Sequence, residues 1–192
     1  MPLGSGLGGG SSNAATTLIA LNKLWDIRFT LKELASFSVK IGADIPAFIM
    51  GKTAIVEGIG DILHPIQRKE KWYLIVYPLI QILTKNMFKS PYLKKNNSKK
   101  SMSSLLKLPF NNDFENIVKK DSRIIKELIS MLSFYAPTRI TGTGSCIFSE
   151  FDNKESAQKI FSLIPKNMKK FIAKSMNTSL VHHFCKKINF IY

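Results

Sequence analysis

The chain has 192 residues, 45% of them hydrophobic, and a formal net charge of +15. This length and hydrophobic content predict a folded globular protein and exclude an intrinsically disordered chain. No apolar run approaches the roughly 18 residues that a membrane-spanning helix needs, and nothing near Met1 resembles a signal peptide. Because the only cysteines are Cys146 and Cys185, we expect no disulfide framework and predict a cytoplasmic protein.

The positive charge is mostly lysine, since only four of the 28 basic residues are arginine. A net charge of this size is otherwise typical of proteins that bind polyanions. The lysines are scattered in pairs, however, without the arginines and interleaved aromatic residues that nucleic-acid-binding surfaces favour. We therefore expect a solvated basic surface and no nucleic-acid partner.

A glycine-rich stretch occupies residues 2–12, where five of eleven residues are glycine. Ser11 and Ser12 are good helix N-caps, and apolar residues then recur at spacings of three and four. The pattern predicts a helix whose apolar face is Ala14, Ala15, Leu18, Leu21, Leu24 and Trp25. Glycines followed by a helix N-terminus are typical of loops that cradle phosphate groups. The spacing matches neither a P-loop nor a dinucleotide-binding fingerprint, and the alternative is a flexible linker.

The rest of the sequence alternates between apolar-periodic segments and turn-forming residues, which predicts an α+β protein. Thr30 and Glu33 have the spacing of a capping box, and Gly42 is a typical residue for the end of that helix. The predicted helices are 30–41, a turn that includes Pro46, a short helix ending near Phe88, 102–107, 113–120, 122–135 and 153–164. The predicted strands are 53–57, 62–66, 72–77, 139–141, 146–151 and 171–176. A polar surface loop is expected at 94–101.

Three motifs, in this order, resemble those of the GHMP small-molecule kinases, a family that includes galactokinase, homoserine kinase and mevalonate kinase. Residues 2–15 resemble the ATP loop, residues 41–46 (Ile-Gly-Ala-Asp-Ile-Pro) resemble the motif around the catalytic aspartate, and residues 141–146 (Thr-Gly-Thr-Gly-Ser-Cys) resemble the C-terminal glycine motif. The resemblance runs from Pro2 to about Leu180. It implies a two-domain α+β fold, in which residues 1–66 are the remainder of the N-terminal, ATP-binding domain and residues 67–192 form the C-terminal domain.

The resemblance implies an ATP-dependent phosphotransferase that uses Mg²⁺ and acts on an alcohol group of a small molecule. The branch of the family that residues 41–46 resemble most phosphorylates the 2-hydroxyl of cytidine diphosphate methylerythritol, in the non-mevalonate route to isoprenoid precursors. A homodimer is compatible with the resemblance, whereas neither a membrane nor a nucleic acid is an implied partner.

The resemblance also implies roles for individual residues. Asp44 is the implied catalytic residue, which orients or deprotonates the attacking substrate hydroxyl. The implied ATP-binding residues are Pro2, Leu3, Gly4, Ser5, Gly6, Leu7, Gly8, Gly9, Gly10, Ser11 and Ser12. The implied substrate-binding residues are Thr84, Phe88, Thr141, Gly142, Thr143 and Gly144. No protein ligand to a metal is predicted, because the three histidines lack the spacing of metal ligands.

The residues alone leave an alternative for each assignment. Asp44 could be the N-cap of the helix that contains Pro46. Residues 141–145 could be a tight glycine turn between two strands, and Phe88 could be an aromatic residue of the core. Lys85 stands where the resemblance leads us to expect proline, which would change the local backbone.

One part of the family pattern is missing from this sequence. In the family, about the first third of the protein precedes the ATP loop and supplies several strands and a catalytic lysine. We therefore expect an N-terminally truncated kinase that lacks part of the N-terminal domain, and its activity as a single chain stays open. The alternatives are an inactive or decayed kinase fragment that at most binds nucleotide, and another GHMP kinase, such as homoserine or mevalonate kinase.

Overall fold

The computed structural model describes residues 4–93, 101–106 and 112–188. The chain divides into two compact units, each built from two segments of sequence. Residues 1–7 and 71–175 belong to the first, named the sheet unit, and residues 8–70 and 176–192 belong to the second, named the helical unit. None of the described helices is long and apolar enough to cross a membrane.

Helices and strands are mixed along the described chain, as predicted for an α+β protein. The helices are α1 (Gly9–Leu24), α2 (Leu31–Ser38), α3 (Ile45–Met50), α4 (Thr84–Lys89), α5 (Met102–Leu105), α6 (Glu115–Asp121), α7 (Arg123–Ser133), α8 (Lys154–Phe161) and α9 (Leu180–Lys187). The strands are β1 (Ala54–Glu57), β2 (Ile62–Pro65), β3 (Trp72–Tyr77), β4 (Thr138–Ile140), β5 (Ile147–Phe151) and β6 (Lys169–Lys174).

The sheet unit contains a four-stranded sheet of order β4-β5-β3-β6, in which all neighbouring strands are antiparallel. The β3 sequence is rich in β-branched and aromatic residues, which suits a central strand, and Leu74 and Val76 are fully buried. Helices α7 and α8 pack against the sheet. The predicted apolar stripe of α7 joins the core through Ile125, Leu128, Ile129 and Leu132, whereas Ile124 is half exposed.

The helical unit has a small core between α1, α2 and α3, formed by Ala15, Ile19, Leu34, Ala35, Ile45 and Ile49. Strands β1 and β2 form an antiparallel hairpin in the same unit. The segment before α9 joins this hairpin, because the Thr53 N–H donates to the Asn177 carbonyl at 3.1 Å. The Asn177 side chain also bonds both the N–H and the carbonyl of Arg68, at 2.9 and 2.8 Å. The C-terminal part of the chain is therefore integral to this unit.

Several sequence predictions are confirmed by these elements. The capping box is present: the Glu33 carboxylate accepts from the Thr30 N–H at 2.8 Å, and the Thr30 hydroxyl accepts from the Glu33 N–H. The strand predicted at Trp72–Tyr77 has these same ends. The hairpin and the helix that contains Pro46 also form as predicted, and Asn153 caps α8 with its side chain.

The start of α1 differs from the prediction. Ser11 and Ser12 are not N-caps, because the helix already begins at Gly9. Gly8 adopts the left-handed conformation, with φ of 67°, and turns the chain directly into the helix. Both serines therefore lie in the first turn of α1.

Two other predictions about the first helices are wrong in detail. The apolar face of α1 ends early, since Leu24 and Trp25 are 71% and 68% exposed. Helix α2 ends at Ser38 rather than near Ile41. Its last carbonyl accepts from the N–H groups of both Ile41 and Gly42, so the chain passes from helix into a turn.

The sequence patterns do not predict α9, which Ser179 begins by accepting a hydrogen bond from the Val181 N–H. The polar loop predicted at 94–101 lies outside the described residues except for Ser101, and Lys107, the end of a predicted helix, also lies outside them.

Candidate functional site

Within the sheet unit, the first glycine motif contacts the second. The Ser5 carbonyl accepts two hydrogen bonds, one from the Thr141 hydroxyl at 2.9 Å and one from the Cys146 N–H at 3.1 Å. Ser5 itself is only 3% exposed. The structure therefore brings together two of the three predicted motifs; Pro2 and Leu3 lie outside the described residues.

Gly6 is fixed at this contact by backbone atoms. Its φ is +72°, and a Cβ added there would lie 2.4 Å from the Thr141 carbonyl oxygen and 2.7 Å from that of Gly144. These distances are far shorter than van der Waals contact, and neither neighbour is the end of a flexible side chain. Only glycine fits this position, because it combines a left-handed φ with no side chain.

The second glycine motif is a turn with its own supports. The Gly144 N–H donates to the Thr141 carbonyl at 2.7 Å, and Gly142 and Gly144 both have positive φ. The Asn112 amide donates to the Gly142 carbonyl at 2.8 Å, and the Ser145 hydroxyl donates to the Ile80 carbonyl. Sequence reasoning missed Asn112, although an Asn-Asn-Asp run before a helix is a recognisable turn signal.

Two predicted substrate-binding residues lie side by side in the sheet unit. The hydroxyl oxygens of Thr84 and Thr143 are 3.2 Å apart, which is a hydrogen-bonding distance. Phe88 is 57% exposed and packs edge-on against Phe114, with ring centroids 5.1 Å apart, so it is not a core residue. Helix α4 forms although Lys85 occupies its second position.

In the helical unit, the first turn of α1 has the properties of an anion-binding site. Its N-terminal N–H groups point out of the helix end, since the first four N–H groups of any helix lack an intrahelical partner. Among the described residues no side chain caps this end, and its first turn contains no acidic residue. The helix has 16 residues, so a partial positive charge is expected at Gly9 and Gly10.

Asp44 occupies the N-cap position of α3, but its side chain makes no capping hydrogen bond. The residue is exposed, and no ion pair or hydrogen bond joins its carboxylate to the described residues. Asp44 is therefore an N-cap by its position in the backbone, but its side chain does not cap the helix. Its carboxylate is accessible for other chemistry.

Close contacts at two glycines hold α3 in the helical unit. A Cβ added at Gly8 would lie 2.9 Å from the Phe48 ring, so α3 packs against the residue that begins α1. A Cβ at Gly60 would lie 2.0 Å from the Ala43 carbonyl oxygen, so the hairpin turn packs against the residue before Asp44. The two contacts fix the helix that Asp44 begins beside the start of α1.

The titratable side chain of Cys146 lies at the end of the second glycine motif. Cys146 is fully buried, and burial raises the pKa of its thiol to about 11. The thiol is therefore protonated at neutral pH, and Cys146 acts as a small buried hydrophobic residue. In the part of the chain that the structure describes, no group of three histidine, cysteine or acidic residues could hold a metal ion.

Comparison with protein families gives two matches. Residues 1–52 match the model described as GHMP kinases N terminal domain, and residues 91–170 match the model described as GHMP kinases C terminal. Together the two models cover more than half of the chain.

Comparison with individual proteins gives close relatives. The chain is 66% identical over 182 residues to the 4-diphosphocytidyl-2-C-methyl-D-erythritol kinase of Buchnera aphidicola subsp. Acyrthosiphon pisum, covering 95% of this chain and 64% of the relative. It is 48% identical over 189 residues to the kinase of that name from Haemophilus ducreyi, covering 98% of this chain and 66% of the relative. The chain thus spans about two thirds of the length of the curated relatives it matches.

Comparison with solved structures confirms the fold. A crystal structure of a 4-(cytidine 5'-diphospho)-2C-methyl-D-erythritol kinase matches with a TM-score of 0.76 at 22% sequence identity. The match covers 91% of this chain and 67% of that protein.

Proposed function

Because the chain belongs to the GHMP kinase family, we propose that it is an ATP-dependent kinase that phosphorylates the 2-hydroxyl of 4-diphosphocytidyl-2-C-methyl-D-erythritol. The names and identities of the relatives support this substrate. One structural observation supports the chemistry most directly. Gly8, at the start of α1, packs against Phe48 of the helix that Asp44 begins, so an anion-binding helix end and an accessible carboxylate occur in the same unit.

We assign the binding of the ATP phosphates to the glycine-rich stretch. The N–H groups of residues 4–10 would donate to phosphate oxygens, and the N-terminus of α1 would add its partial positive charge. Gly4, Gly6 and Gly8 of this stretch have positive φ, a backbone conformation that recurs in anion-binding nests. Proposed ATP contacts therefore include both backbone groups and the hydroxyls of Ser11 and Ser12.

We assign the role of general base to Asp44. The substrate 2-hydroxyl oxygen attacks the γ-phosphorus of ATP, the bond from that phosphorus to the β–γ bridging oxygen breaks, and ADP leaves. The Asp44 carboxylate orients the hydroxyl and accepts its proton. Bound Mg²⁺ would neutralise the phosphate charge, and the hydroxyls of Ser11 and Ser12 would help to hold it.

We assign substrate contacts to Thr84, Phe88 and residues 141–144. The exposed Phe88 ring offers a face on which a cytosine base can stack, and the paired hydroxyls of Thr84 and Thr143 offer hydrogen bonds. The division of the chain into domains at residues 66 and 67, a cytoplasmic location and a homodimer stay predictions.

The test is a phosphotransfer assay on the protein as isolated from its own cells. ATP and Mg²⁺ are supplied with 4-diphosphocytidyl-2-C-methyl-D-erythritol, homoserine or mevalonate, and ADP release is measured. ADP release with the cytidyl compound alone supports the proposal. Release with homoserine or mevalonate instead identifies another GHMP kinase, and nucleotide binding without any turnover supports the inactive alternative. The intact mass of the sample, compared with 21.6 kDa, ties the result to this chain.

A further inference from the structure

Helix α9 places one of two adjacent histidines in the interior of the helical unit. His182 is 5% exposed, whereas His183 faces solvent. The proposed reaction uses neither residue. The buried imidazole therefore needs a structural or functional explanation of its own.

The His182 ring lies against Gly51, the residue that ends α3. Gly51 is in the left-handed conformation, with φ of 59° and ψ of 30°. A Cβ added at Gly51 would lie 2.2 Å from Cδ2 and 2.4 Å from Nε2 of His182. The ring thus fills the space that a side chain at position 51 would occupy. Any residue other than glycine at position 51 would clash with the His182 ring.

The polar atoms of His182 also face the end of α3. Its Nε2 is buried and has no hydrogen-bond partner among the described residues. Burial lowers the pKa of His182, while the carbonyls of Ile49 and Phe48 favour the protonated form and the charges of Lys186 and Lys52 oppose it. The imidazole is therefore neutral at pH 7 and packs against α3 without a charge.

Backbone hydrogen bonds fix the same junction. The Ser179 N–H donates to the Gly51 carbonyl at 2.8 Å, and Lys52 pairs with Thr178 as an antiparallel bridge. The segment that leads into α9 thus holds the chain on the C-terminal side of α3, next to the His182 contact.

Helix α3 depends on such contacts because it has only six residues. An isolated helix of this length is not stable in water, so its position is set by packing at its two ends and along its buried face. Asp44 is at the other end of this helix, seven residues before Gly51 and so about 10 Å away at 1.5 Å per residue. We therefore expect a displacement at Gly51 to move Asp44 as well.

We propose that His182 is a positioning residue, which packs on Gly51 and thereby holds α3 so that the Asp44 carboxylate keeps its reactive position. This role rests on the proposed kinase function. It is distinct from substrate binding, because His182 lies at the opposite end of α3 from Asp44 and is buried.

The kinetic test compares His182→Ala with two controls on the same helix. His183→Ala alters the exposed neighbour, and Cys185→Ala removes another buried side chain of α9, one that lines a pocket with Ile19 and Ala20 of α1. We expect His182→Ala to lower kcat about 10- to 100-fold with less than a twofold change in the KM for ATP. His182→Phe restores a ring and is expected to recover most of kcat. Equal kcat losses for His182→Ala and Cys185→Ala, or no loss for His182→Ala, would overturn the proposal.

A second measurement does not depend on kinase activity. Amide hydrogen exchange reports the opening of α3, and we expect His182→Ala to speed exchange at Met50 and Gly51 at least tenfold relative to α2. Unchanged exchange would overturn the positioning role even in an active kinase. If the wild-type protein transfers no phosphate to any acceptor, the proposed function fails, and faster exchange in His182→Ala then still establishes the contact with α3.

A double-mutant cycle tests the contact itself. Gly51→Ala places a methyl group where the His182 ring lies, and His182→Ala removes that ring. We expect the destabilisation by Gly51→Ala to be much smaller in the His182→Ala background, since only the strain of the left-handed alanine then remains. Additive effects of the two substitutions would show that ring and glycine are not coupled.

Discussion

The Thr141 hydroxyl donates a hydrogen bond of 2.9 Å to the Ser5 carbonyl, 136 residues earlier in the chain. The same carbonyl accepts from the Cys146 N–H, so one buried oxygen joins the two ends of the second glycine motif to the first. The two motifs therefore form one structural feature of the sheet unit, although the sequence separates them widely.

The first prediction concerns this hydrogen bond. We expect Thr141→Val to lower the free energy of unfolding by about 1 kcal/mol, because the shape is kept while one hydrogen bond to a buried carbonyl is lost. Thr143→Val is the control from the same turn. Its hydroxyl pairs with the exposed Thr84, and we expect a change within about 0.5 kcal/mol. Urea unfolding checks both, and equal losses would refute a special role for the Ser5 contact.

The second prediction compares two glycines of the same stretch. Gly6→Ala combines a left-handed alanine with contacts of 2.4 and 2.7 Å to backbone oxygens, so we expect a loss of more than about 2 kcal/mol in unfolding free energy. Gly10 lies in α1 with open space around its Cβ position. We expect Gly10→Ala to raise the unfolding free energy by about 0.5–1 kcal/mol. An unchanged unfolding free energy for Gly6→Ala would contradict the structure.

The third prediction concerns two ion pairs of different burial. Arg139 pairs with Glu150, and both side chains are about 15% exposed or less. Arg139→Met leaves the Glu150 carboxylate buried without this partner, and we expect a loss of about 3–5 kcal/mol. The Arg123–Glu127 pair is exposed, and we expect Arg123→Met to cost less than about 0.5 kcal/mol. Thermal unfolding of both variants measures the two losses. Equal losses for Arg139→Met and Arg123→Met would contradict the prediction.

The fourth prediction is a pH dependence. Burial raises the pKa of the Cys146 thiol to about 11 in the folded protein, above its value of 9.0 in the unfolded chain. Between these values the unfolded chain loses the thiol proton first, so the stability contributed by the neutral thiol falls as pH rises from about 9 to about 11. The wild type should therefore lose more stability over this range than Cys146→Ala, as measured by urea unfolding. Parallel curves for the two proteins contradict a buried neutral thiol.

Much of the fold is predictable from local sequence. Thr30 and Glu33 form a capping box because both partners lie within one turn, and Trp72–Tyr77 forms a strand because every residue suits a buried sheet. The start of α1 was less predictable, since glycine is a poor helix residue and serine a good cap. The left-handed Gly8 overrides this preference by turning the chain directly into the helix.

The candidate site is predictable from sequence only in part. The glycine motifs and Asp44 stand out as residues, but the contact between Ser5 and Thr141 depends on tertiary structure. Helix α9 and the burial of His182 were not predictable, because an adjacent pair of histidines carries no periodic signal and Gly51 gives no hint of its partner. Asn112 likewise acts through a carbonyl that lies 30 residues away.

The proposed role of Asp44 is that of the general base in a kinase that acts on 4-diphosphocytidyl-2-C-methyl-D-erythritol. Its most direct test is the turnover of this compound with ATP by the wild type, by Asp44→Asn and by Asp26→Asn, an exposed aspartate of the same unit. We expect Asp44→Asn to lower kcat about 10²- to 10⁴-fold while folding normally, and Asp26→Asn to retain activity. Full activity of Asp44→Asn would contradict the assignment.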